Sequence, residues 1–96
     1  MQLKLVNRGE SAEVLMIGRL DVNAAQEVEK NLLSAAERFR DVTLNMESLE
    51  YISSAGLRAL RSLYIALSQK GGRMSVINVP KTIMDIFEVT GFAYFL

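Results

Sequence analysis

The stretch VTLNMESLEYISSAGLRAL, residues 42–60, decides the fold because its hydrophobic period changes once along its length. Val42, Leu44 and Met46 alternate with polar residues, the period of a half-buried strand. The segment ESLEYIS reads as a loop. Beyond it Leu57, Leu60, Leu63 or Tyr64, and Leu67 recur at steps of three and four, which predicts a helix from about Ser54 to Lys70. A strand that feeds a helix through a short loop is half of a β-α-β unit, so another strand should follow.

It does. Gly71 and Gly72 stop the helix, and RMSVINV reads as the next strand. Pro80 suits the first turn of a third helix, PKTIMDIFEVT, which Gly91 ends. Met74, Met84 and Phe87 fall at core spacings in these elements. FAYFL closes the chain as a candidate edge strand.

Upstream, QLKLV and AEVLMIG flank the turn-rich NRGES and predict an antiparallel hairpin. A first helix follows, with Ala25, Val28, Leu32, Ala36 and Phe39 as its apolar stripe and Asn23 with Gln26 as its capping pair. The order is therefore β-β-α-β-α-β-α, with a candidate final β. Strands joined through helices pair in parallel with right-handed crossovers. The expectation is one α/β domain over residues 1–96, a mixed, mostly parallel sheet packed against helices.

Composition narrows function by exclusion. Half the residues are hydrophobic and 23% are charged, a globular balance. Eleven basic side chains match eleven acidic ones without a basic stripe, so nucleic acid is not an expected partner. With no histidine and no cysteine, Ser-His-Asp triads, thiol nucleophiles and the usual zinc sites are excluded. Asp21, Glu47 and Glu50 are scattered over two loops and suggest no metal site, and no cofactor motif is present. No apolar run approaches the roughly 20 residues of a membrane span, and the N-terminus lacks a signal peptide's apolar core. The expectation is a cytoplasmic, non-enzymatic protein without membrane insertion.

Ser53 and Ser54 then stand out. They fall past the carboxyl end of a strand and at the amino end of a helix, where unpaired N–H groups and about half a positive charge gather. One serine is explained as an N-cap. The nucleophile-elbow pattern needs glycine where Ile52 stands, and no base is available. Modification is the remaining chemistry: a phosphate on Ser54 is compatible with a helix N-terminus, and Arg58 lies four residues on along the same face. Ala55 and Gly56 are small, as though something approaches closely there.

The chain resembles the STAS-domain proteins, and among them the stand-alone bacterial anti-sigma factor antagonists. The resemblance rests on GRLDVNAA (18–25), on VTLNMESLEYISSAGLRAL (42–60) and on GGRMSVINVPKTIMDIFEVTGF (71–92), three segments in family order. It implies partner switching. The unphosphorylated antagonist binds an anti-sigma factor serine kinase of the histidine-kinase-like ATPase fold and frees a sigma factor. The kinase then phosphorylates it on a serine, and a PP2C-type phosphatase reverses the step. By position the family's phosphoserine falls on Ser54, and Asp21 matches a family aspartate near the kinase contact. The implied contact surface comprises Asp21, Ser53, Ser54, Ala55, Gly56, Arg58 and Arg61. Many members carry aspartate immediately before the phosphorylated serine, where this chain has Ser53, a second candidate hydroxyl. Other STAS domains act without the switch, as subunits of lipid-transport or stress-sensing complexes, and that is the alternative expectation.

Overall fold

β1 (Gln2–Asn7) and β2 (Ser11–Leu20) form the expected antiparallel hairpin, with Leu3 opposite Met16 and Asn7 opposite Ala12. The turn is closed by the Asn7 side chain, which accepts from the Gly9 N–H at 2.9 Å. This computed structural model describes residues 1–95.

α1 (Val22–Arg38), β3 (Asp41–Asn45), β4 (Leu49–Ile52), α2 (Ser54–Gln69), β5 (Arg73–Ile77) and α3 (Lys81–Thr90) follow, and the described chain closes in a 3₁₀ turn, Phe92–Phe95. The main sheet runs β1-β2-β3-β5, antiparallel at its first pair and parallel elsewhere. β4 also pairs in parallel with β2. Thus β2 serves two parallel partners besides β1: Ser11–Leu15 pair with β3, and Gly18–Leu20 pair with β4, with a register shift between Gly18 and Arg19.

Two features depart from the sequence expectation. The loop ESLEYIS contains β4, a strand too short to display a period of two. It is held by the Leu20–Ile52 pairing and by Arg19 stacked over its register partner Tyr51 at 4.5 Å. The candidate edge strand FAYFL is instead a 3₁₀ turn as far as Phe95, and Leu96 lies outside the described residues. Phe92 and Phe95 pack inward instead of pairing along a sheet edge, while Tyr94 stays exposed: Phe92 lies 5.0 Å from Phe87, and Phe95 lies 5.1 Å from Tyr64.

The helix ends also sharpen. Asp21, not Asn23, caps α1, because β2 runs on to Leu20 and the helix begins one residue after the aspartate. Pro80 caps α3 from just outside, with its carbonyl accepting from the N–H groups of Ile83 and Met84. After α2 the N–H groups of Gly71 and Gly72 return to the carbonyls of Ser68 and Leu67, the Schellman arrangement.

One core cluster joins the sheet to the helices. Ala12, Val14, Met16, Val42, Leu44 and Met74 alternate inward along the strands and meet Leu32, Leu60, Leu63, Leu67, Ile83 and Phe87. The intervening Glu13, Leu15, Thr43, Asn45 and Ser75 are half-covered on the other face. Among the described residues every buried side chain is apolar, and no helix is long and apolar enough to cross a membrane.

Candidate functional site

The pairing of β2 with β4 sets two helix starts side by side. β2 ends at Leu20 opposite Ile52, the end of β4, and each strand passes through one residue into a helix. That residue is Asp21 before α1 and Ser53 before α2. Each is extended and caps its helix. The Asp21 carboxylate accepts from the Ala24 N–H at 2.9 Å, and the Ser53 hydroxyl accepts from the Gly56 N–H at 3.1 Å.

Ser53 does more than cap. Its backbone N–H donates to the Leu20 carbonyl at 2.9 Å, and its hydroxyl donates to the same oxygen at 3.1 Å. The Ser53 hydroxyl therefore both donates and accepts, and it ties the start of α2 to the end of β2. An ionised aspartate would cap equally well but could not donate to Leu20.

Ser54, the first residue of α2, is exposed, and its hydroxyl makes no hydrogen bond among the described residues. The two adjacent serines thus differ sharply: one is a half-buried tie and the other is open to solvent. Nothing in their sequence distinguishes them in this way.

Gly56 is buried. A Cβ there would stand 2.7 Å from Leu20 Cγ, 2.9 Å from Ile52 Cγ1 and 3.0 Å from the Leu20 carbonyl oxygen. The close approach that its small size implied is made by the protein's own sheet. Ala55 is half-buried between the helices.

Arg58 is exposed one turn along α2, and Arg61 one turn further. Neither makes an ion pair among the described residues. α2 carries no acidic residue, so neither arginine has a partner on its own helix. Arg58 lies between two depressions. One, between α1 and α2, is lined by Val22, Ala25, Gln26, Glu29, Ala55 and Arg58. The other, against the closing turn, is lined by Leu57, Arg58, Arg61 and Phe92 among others.

The structure therefore gathers Asp21, Ser53, Ser54, Ala55 and Gly56 at one end of the sheet, with Arg58 beside them and Arg61 further along. Val22, the first residue of α1, is 68% exposed beside them, which its sequence position does not foretell. It stands three residues before Ala25, a spacing that points to the buried stripe, so only the packing reveals it. No group of three or more metal-ligating side chains occurs among the described residues.

The family model described as STAS domain matches residues 5–96. The anti-sigma-B factor antagonist of Staphylococcus aureus (strain NCTC 8325 / PS 47) is 28% identical over 92 residues, covering 95% of this chain and 85% of that protein. Among solved structures, the unphosphorylated form of the anti-sigma factor antagonist SpoIIAA superimposes with a TM-score of 0.74 at 24% identity, over 91% of this chain and 80% of that one. The phosphorylated form of SpoIIAA, a Bacillus cell fate determinant, gives 0.75 at 23% identity, over 98% and 86%. At these identities the two structural likenesses speak for the fold.

Proposed function

The chain belongs to the STAS domain family, and on that premise we propose that it is an anti-sigma factor antagonist released from its partner by phosphorylation of Ser54. The partner is an anti-sigma factor serine kinase, and a PP2C-type phosphatase resets the switch. Support for the antagonist role comes from the name of the curated relative, which aligns over nearly the whole chain. A solved phosphorylated form of SpoIIAA is consistent with the switch.

The observation that carries the choice of serine is the asymmetry between Ser53 and Ser54. The Ser54 hydroxyl is exposed and unengaged, whereas that of Ser53 is held at 3.1 Å by both Leu20 and Gly56. Transfer to Ser54 forms a bond between Oγ and the γ-phosphorus of ATP. The bond to the bridging oxygen of ADP breaks, and the hydroxyl proton leaves. The product places nearly two negative charges at the N-terminus of α2, where the helix dipole favours them and Arg58 lies one turn away. The fold need not change. A partner docked on the small hydroxyl instead meets a hydrated dianion.

Incubation with the cognate kinase and ATP, followed by peptide mass spectrometry, tests this. One phosphoryl group on Ser54 is expected. A chain unmodified at both serines would overturn the switch and leave a non-switching subunit of a larger complex. In calorimetry, Ser54→Asp should weaken kinase binding, while Ser54→Ala should bind like the wild type and resist release by ATP. Equal affinity of the two variants would contradict the proposal.

A further inference from the structure

Val22 serves neither the core nor the cap of α1. It is 68% exposed at the helix's first position, where a β-branched apolar residue gains nothing from the dipole and has a modest helix propensity. A single exposed valine is ordinary on a protein surface. This one differs in its surroundings. It lines the same depression of about 230 Å³ as Ala55 and Arg58, and Ala55 directly follows the exposed Ser54. Val89 and Tyr94 are more exposed but do not line this depression. The rim beside Ser54 therefore combines an apolar side chain, a half-buried alanine and an arginine with no ion pair among the described residues.

From this juxtaposition we propose that Val22 is the apolar anchor of the kinase contact. Arg58 is its ionic neighbour, so the occupant of the depression is a kinase surface bringing an aliphatic side chain over Val22 and a carboxylate to Arg58. The inference rests on the function proposed above and adds a reason for release. A phosphate on Ser54 draws Arg58 into an intramolecular pair across one helical turn and keeps the rim hydrated. The partner loses its counter-charge and its dry contact together. Glu29, the one carboxylate lining the depression, stands on α1 and forms no ion pair among the described residues.

Calorimetry of the unphosphorylated full chain with the cognate anti-sigma factor kinase, over a range of salt concentrations, tests the inference. Val22→Ser should weaken binding about tenfold with an unchanged thermal midpoint, since the side chain leaves water only in the complex. Val22→Ile should bind as well as the wild type. Arg58→Ala should flatten the salt dependence. Wild-type affinity in Val22→Ser would overturn the anchor, and an unaltered salt dependence in Arg58→Ala would overturn the ionic contact. If Ser54→Asp still loses affinity in those cases, the switch survives without the anchor. If the wild type fails to bind the kinase, both proposals fall.

Discussion

The two serines at 53 and 54 divide labour in a way that stability measurements can separate. Ser53 supplies the N-cap of α2 and a donor to Leu20, so Ser53→Ala should cost about 1–2 kcal/mol of unfolding free energy. Ser54→Ala removes an exposed hydroxyl with no hydrogen bond among the described residues and should stay within about 0.5 kcal/mol of the wild type. Chemical denaturation of both variants checks the contrast, and equal losses would contradict the assigned geometry. The residue types at this site were legible in the sequence: a cap serine, a small pair and an arginine one turn on. Which serine caps was not, because that depends on where β4 ends. The small size of Gly56 implies a closely approaching body but not its identity, and that body is Leu20 with Ile52.

At the scale of elements, β2 carries most of the sheet's connections and one polar network. Glu13 on its half-covered face accepts from Arg8 at 3.0 Å and from Asn45 of β3 at 3.1 Å, and Asn45 in turn accepts from Asn78 at 3.3 Å. The hydrogen bond from Asn45, then that from Arg8, hold the Glu13 carboxyl below its ordinary value of 4.5. A lowered folded-state pKa stabilises the fold fully above the unfolded value, and the contribution is lost as pH falls through the folded one. Wild type should therefore exceed Glu13→Gln in urea midpoint at pH 7, and the gap should narrow as the pH falls below the ordinary value of 4.5. A gap independent of pH would remove the carboxylate from the account. The longer elements were legible because their periods are long enough to read. β4 pairs only through Leu49, Tyr51 and Ile52, too few residues for alternation to show, and it exists because β2 offers its last three residues as a ladder.

Across the whole molecule, the crossovers are locked where α1 turns into β3 and α2 turns into β5. A Cβ on Gly72 would stand 1.9 Å from the Arg40 carbonyl oxygen. That oxygen belongs to backbone fixed by the Asp41–Arg73 pairing. The Arg40 guanidinium also donates to the Gly71 carbonyl at 3.2 Å, and the Lys70 ammonium reaches the Ala36 carbonyl. Gly72→Ala should accordingly cost about 3 kcal/mol, at the upper end for overpacking, because neither strand can move without breaking its ladder. Thermal unfolding would test this, and a loss under 1 kcal/mol would show that the crossover yields. Periodicity, turn residues and the absence of histidine and cysteine determined the α/β class, the order of the longer elements and the exclusion of histidine- and thiol-based chemistry, since those properties reside in local spacing and residue type. The side-by-side helix starts, the burial of Gly56, the packing of Phe95 against Tyr64 and the exposure of Val22 were decided only by tertiary structure, because each depends on a neighbour more than 20 residues away in the chain or on the lack of one.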